Sequence, residues 1–251
     1  MSELFSIQLQ NRQQQGRDGV WLDLPTTTEQ VQAALRQIGI SSDNPQGLFI
    51  SGYFAEEEKR FAIPYNMVLA SNVDELNFLA SRLETLSTGE RAELNAALQA
   101  PQSELFSIGR ITDFPENVDY YVHLPDVHGP AQLGDYYLNR SGMVDMPEEW
   151  KGGIDTAQFG RYVAQQEQGA FTEYGYLVKS GDVWQKVHEG QPVPEEYRVL
   201  SFPVPEVMRD AANIPPPVQP ETEPQKVIPI ILNGKDSAER MKEITDRLET
   251  G

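Results

Sequence analysis

The chain has 251 residues, no cysteine, 39% hydrophobic residues, and 38 acidic against 20 basic side chains, a formal charge of −18 at pH 7. The lack of cysteine excludes disulfides, zinc–thiolate centres and cysteine nucleophiles. The scarcity of lysine and arginine argues against direct nucleic-acid binding by residues 1–203, because such binding needs cations to displace counterions from phosphates. Ten Phe and ten Tyr are too many for a wholly disordered acidic tail. No apolar run approaches the roughly 18 residues that span a bilayer. The opening Met1-Ser2-Glu3-Leu4-Phe5 has no basic stretch and no long apolar stretch, so the expectation is a cytoplasmic protein with no membrane association.

In chain order, Leu4 to Leu9 and Val20 to Leu24 alternate apolar and polar residues and predict two strands joined by a turn. Thr26-Thr27-Thr28 caps a helix with Val31, Leu35 and Ile38 on one face, and Gly39 stops it. Leu48 to Phe54 and Phe61 to Ile63 read as two further strands. From Ser71 the period changes: Ser71 with Asp74 reads as a capping pair ahead of the stripe Leu76, Leu79, Leu83 and Leu86. Ser87 with Glu90 starts a second helix that carries Leu94 and Leu98 to about Ala100. The pair forms a helical hairpin whose stripes face a core.

Ser2-Glu3-Leu4-Phe5-Ser6-Ile7 then recurs letter for letter at Ser103-Glu104-Leu105-Phe106-Ser107-Ile108. Trp21-Leu22-Asp23-Leu24-Pro25 likewise has a counterpart in Tyr121-Val122-His123-Leu124-Pro125. An internal duplication of a strand–strand–helix unit would explain both pairs. So would coincidence, because the spacing between the blocks differs. Pro130 suits the first turn of a helix with Leu133, Tyr136 and Tyr137. Pro147 opens a second helix around Glu148-Glu149-Trp150, and Asp155 caps a third with Phe159, Tyr162 and Val163. Strands are expected at Phe171 to Val178, Val183 to Val187 and Arg198 to Phe202. Seven prolines between Pro203 and Pro224 mark an extended linker. Beyond it, Asp236 and Glu239 cap a terminal helix with the stripe Met241, Ile244 and Leu248. That helix needs a partner to bury its stripe.

The fold class expected is α+β, a multi-domain protein of small antiparallel sheets with packed helices and a central helical hairpin. Its parts are an N-terminal α+β domain (1–70), the hairpin (71–101), a C-terminal α+β domain (102–203), a proline-rich linker (204–235) and a terminal amphipathic helix (236–251).

Signals for catalysis are thin. Of three histidines only His123 and His128 are close in sequence, around Asp126, and Pro125 bends the chain between them. A metal would need these groups to converge from rigid elements; a strand end running into a turn is the simpler reading. Glycine-rich phosphate loops and the Gly-x-Ser-x-Gly elbow are absent. No catalytic residue, metal or cofactor is expected. The carboxylates are more informative. Asp113, Glu116, Asp119, Asp126, Asp135, Asp145, Glu148, Glu149, Asp155, Glu167 and Glu173 stand against only Arg140, Lys151 and Arg161, so this stretch carries −8. A solvated acidic face for solubility is one explanation. Duplex DNA offers the other: at one charge per ~1.7 Å of axis, the charge on this chain equals that of roughly 30 Å of duplex.

Gly19-Val20-Trp21-Leu22-Asp23-Leu24-Pro25, with the following helix and Ile38-Gly39-Ile40, resembles the opening of the ArdA antirestriction proteins. So does Val73-Asp74-Glu75-Leu76-Asn77-Phe78-Leu79. The fullest likeness runs from Leu133-Gly134-Asp135-Tyr136-Tyr137 through Val144-Asp145-Met146-Pro147 and Ile154-Asp155. It continues through Phe159-Gly160-Arg161-Tyr162 and Gly169-Ala170-Phe171-Thr172 to Gly175-Tyr176. The blocks keep the family's order over roughly residues 1–180. The resemblance implies an elongated, homodimeric protein carried by mobile genetic elements. Its surface carboxylates, here the eleven from Asp113 to Glu173, would imitate the phosphates of bent DNA. In that role it would occupy the DNA groove of type I restriction–modification enzymes with no bond made or broken. A different reading of the same charge is an acidic interaction module that blocks another basic defence or DNA-processing protein. Residues 181–251 lie outside the resemblance. The terminal Ser237 to Glu249 resembles the opening helix of an ArdC-type single-stranded-DNA-binding domain, which would make the chain one module of a larger antidefence protein.

Overall fold

The computed structural model describes residues 4–14, 18–41, 45–56 and 61–200. The predicted linker and terminal helix lie outside the described residues. The fold is α+β, and the described residues fall into two compact units: residues 4–118 together with 184–200, and residues 119–183.

The first unit is built on a three-stranded antiparallel sheet of β1 (Phe5–Asn11), β2 (Val20–Leu24) and β3 (Leu48–Phe54), with β1 in the middle. Strict alternation buries Phe5, Ile7 and Leu9 on one face, beside Leu22, Leu24, Leu48 and Ile50. Helix α1 (Thr28–Gln37) adds Val31, Ala34 and Leu35 to this core. Its N-terminus is the expected one: Thr27 and Gln30 form a reciprocal capping box. The pairing of β1 with β3 slips between Gln8 and Leu9, and Ser51 fills the extra position with its hydroxyl on the Gln8 side-chain oxygen at 3.0 Å.

Helices α2 (Tyr65–Ala70), α3 (Val73–Glu84), α4 (Thr88–Gln99) and α5 (Ile108–Thr112) follow. The expected stripe is buried through Leu76, Leu79, Leu83 and Leu86, with Leu94 on α4. The Ser87–Glu90 capping box forms as expected. One residue shifts the start of α3: the box is Asn72 with Glu75, because the Ser71 hydroxyl is spent on Met67 O at 2.8 Å, closing the preceding helix. Phe61–Ile63 is not a strand. Its partners are side chains: Ala62 N–H donates to Asn95 Oδ1 at 2.8 Å, and Arg91 lies over the buried Phe61 ring.

The second unit holds an antiparallel sheet of β4 (Tyr121–Leu124), β6 (Gly175–Lys179) and β5 (Ala170–Thr172), in that order. The expected strand from Phe171 to Val178 is therefore a hairpin turning at Glu173-Tyr174. Helix α6 (Pro130–Asp135), which Pro130 opens, runs into a π-turn at Tyr136–Arg140, followed by α7 (Glu148–Lys151) and α8 (Thr156–Glu167). Asp155 caps α8, accepting Ala157 N–H at 2.9 Å and Gln158 N–H at 3.0 Å. The core gathers Val127, Leu133, Tyr137, Val163, Tyr176 and Val178.

The duplication fails at its first block. Phe5 to Ile7 are β-strand, whereas Phe106 is exposed and Ser107 caps α5, accepting Arg110 N–H at 3.3 Å. Only the second pair agrees, since Val20–Leu24 and Tyr121–Leu124 are both strands, each followed by a helix. The expected strand at Val183–Val187 does not form, and of the one expected at Arg198–Phe202 the described part, Arg198–Leu200, enters no ladder, while Ser201 and Phe202 lie outside the described residues. Those residues belong to the first unit from Trp184 onward.

Candidate functional site

The acid-bearing part of the second unit is framed by α6 and α8, whose backbones touch at two glycines. A Cβ on Gly134 would lie 1.9 Å from Thr156 O, and one on Gly160 would lie 1.8 Å from Pro130 O. Both glycines are obligatory for so close a crossing. They also sit in two of the blocks that carry the family likeness.

The far end of α8 is fastened to the sheet by a buried polar group. Glu167 accepts hydrogen bonds from Tyr137 Oη at 2.5 Å and Tyr176 Oη at 3.0 Å. Burial raises the Glu167 pKa above the ordinary carboxylate value, while the two tyrosine donors pull it back down. Burial and the nearby carboxylate push both phenols well above their usual range. Tyr137 and Tyr176 come from separate blocks of the likeness, so the two blocks converge on one carboxylate.

The eleven acids fall into distinct settings. Asp113, in the first unit, is 0% exposed and accepts the backbone N–H of His188 at 2.6 Å and of Glu189 at 3.2 Å. Glu116, also there, is exposed and pairs with Arg82. In the second unit Glu167 faces inward, as described. Asp135 pairs with Arg140 at 3.0 Å and Glu148 with Lys151 at 2.6 Å. Asp119, Asp126, Asp145, Glu149, Asp155 and Glu173 are exposed. Among the described residues, Asp119, Asp126, Asp145 and Glu149 have no basic partner. Asp126 and Asp135 border one pocket of ≈ 270 Å³, which Val127, Tyr136 and Arg140 also line. Across residues 119–183 ten carboxylates face four basic residues, leaving −6.

Trp150, on α7 beside Glu148 and Glu149, is 67% exposed, and Tyr162 on α8 is 46% exposed. Sequence reasoning missed the roles of Gly134, Gly160, Tyr137 and Tyr176. A glycine inside a helical pattern was the available signal for the first two; nothing local announces the tyrosine clasp.

His123 lies in β4 with Nε2 2.7 Å from Tyr174 O, and His128 is exposed beyond the turn. Among the described residues no group of three or more His, Asp or Glu side chains is gathered to hold a metal. No helix among them is long and apolar enough to cross a membrane.

No curated protein matches the chain. A family described as Antirestriction protein (ArdA) matches residues 15–178, a span that contains both the Gly134–Gly160 crossing and the tyrosine clasp. The match covers more than half of the sequence, and the chain belongs to the ArdA antirestriction family.

Proposed function

We propose that the protein evades restriction as a DNA mimic, a homodimer whose carboxylates stand in for phosphates and fill the DNA-binding groove of a type I restriction–modification enzyme. The observation that carries this reading is the exposed, unneutralised set Asp119, Asp126, Asp145 and Glu149 on a unit of net charge −6. A groove built to bind phosphates is cationic, so it attracts such a surface at long range and accelerates encounter. Nothing in the process needs a nucleophile, a metal or a cofactor; the inhibitor works by occupancy in the cytoplasm, and it touches neither membrane nor DNA. Asp155 and Glu173 extend the acidic surface, while Glu167 holds the fold of the unit that displays it and Asp113 holds the first unit.

The test is stepwise neutralisation. Asp119→Asn, Asp126→Asn, Asp145→Asn and Glu149→Gln, added one at a time, should weaken inhibition of a type I methyltransferase progressively while circular dichroism stays native. Inhibition by wild type should also weaken with added salt as the charges are screened. A quadruple variant as potent as wild type would end the mimicry reading. Capture of some other basic DNA-processing protein, with type I enzymes unaffected, would assign the surface to the alternative partner class. Small-angle scattering of the dimer should give an elongated particle.

A further inference from the structure

Residues 184–200 lie outside the family match; apart from one short 3-10 turn at Glu195–Tyr197 they contain no helix or strand, yet they are heavily hydrogen-bonded to the first unit. Their backbone is taken up by side chains from α3 and the turn after α5. Asn117 pairs with Gln185 in both directions, accepting its N–H at 2.7 Å and donating to its carbonyl at 2.9 Å. Three residues on, Asp113 clamps the consecutive N–H groups of His188 and Glu189. Asn77 donates to Tyr197 O at 3.0 Å, and Asp74 Oδ1 then clamps a second consecutive pair, Val199 N–H at 2.7 Å and Leu200 N–H at 2.8 Å.

Side-chain contacts fix the register. The Phe78 ring is flanked by His188 at 5.0 Å and Tyr197 at 4.7 Å between centroids. Arg110 bonds Glu189 at 3.0 Å and lies 5.8 Å from the Trp184 ring. The close approach of the two chains leaves only 3.3 Å between a Cβ placed on Gly109 and the Glu189 Cα. Four polar hooks reading main-chain groups, with aromatic contacts setting the register, are a means by which a groove can recognise a peptide through its main chain.

We infer that the first unit carries a peptide-binding groove on α3 and α5, and that residues 184–200 are its ligand, held in cis. Its recognition elements are an aromatic ring at each of positions 188 and 197 and two pairs of free consecutive N–H groups. The proposal is independent of DNA mimicry, because none of the hooks belongs to the exposed acids.

The test uses the full chain with a protease site inserted between Asp182 and Val183, where Val183 is 86% exposed. After cleavage, the fragment beginning at Val183 should co-elute with the rest of the protein at micromolar concentration. An excess of synthetic peptide spanning residues 184–200 should exchange with it, at least tenfold faster in an Asp74→Ala/Phe78→Ala variant. Circular dichroism of the uncut variant should stay native. Separation of the wild-type fragments on cutting would overturn the proposal. So would unchanged retention in the variant, which would show that something other than the groove holds the fragment. If the double variant misfolds, Asn117→Ala in its place carries the same two outcomes.

Discussion

The two units use carboxylates in opposite ways. In the first, Asp113 and Asp74 turn toward backbone N–H groups and hold a distant segment of chain. In the second, Asp119, Asp126, Asp145 and Glu149 point to solvent and hold nothing, and the fold there rests on a glycine seam and a tyrosine clasp. Net charge alone cannot tell these jobs apart. Burial and hydrogen bonding can: an inward carboxylate substitutes for missing ladder partners, and an outward one contributes field.

The contrast breaks most visibly at Asp113. Replacing it with alanine strands two partly buried N–H groups, at a cost of roughly 3 kcal/mol. The thermal midpoint should fall by roughly 10 °C, measured by calorimetry. A smaller loss is expected at the seam. Gly160→Ala drives a methyl into Pro130 O, and overpacking of this kind costs about 2 kcal/mol. A variant as stable as wild type would show that the helices do not need the glycine to cross, and the denaturation midpoint decides.

Glu167 gives a subtler, pH-dependent signature. Its pKa is raised in the folded protein, so the native state binds the proton more tightly than the unfolded chain does. Stability from this group is therefore fully present below the ordinary glutamate value of 4.5 and is lost as pH rises through the raised native value. Glu167→Gln keeps an acceptor for one tyrosine and abolishes the titration. Urea midpoints of the variant should be flatter with pH over that window than those of wild type. The least effect belongs to an outward acid alone. Glu149→Gln should leave stability within about 0.5 kcal/mol and reduce inhibition less than twofold, because a field summed over many charges barely notices one.

Much of this was legible in the sequence where the signal is local. The alternation of Phe5 to Leu9, the capping of α1 by Thr27 and of α4 by Ser87, and the Asp155 cap on α8 all follow from neighbouring residues. Local signals also misled. Phe5–Ile7 of the shared hexapeptide are strand where Tyr53 and Leu24 flank them across a sheet, and the second copy is a helix lead-in where Ser107 finds the Arg110 N–H instead. A run of six residues does not carry its own structure; its partners decide. Phe61–Ile63 has strand composition, but Asn95 takes the hydrogen bond that a ladder would have needed. The hooks on residues 184–200 reach across 68 to 126 positions, and no pattern within a window of sequence encodes them. The same holds for the site: the abundance of acid was plain from counting, but which carboxylates face outward depends on contacts made by residues far along the chain.

The seam between α6 and α8 has a consequence for how such a protein can change over time. Because two glycines and two backbone carbonyls make the join, it asks little of the outward positions of both helices. Acids can be gained, lost or shuffled among them, retuning the inhibitor toward a new host enzyme, while the architecture beneath stays untouched.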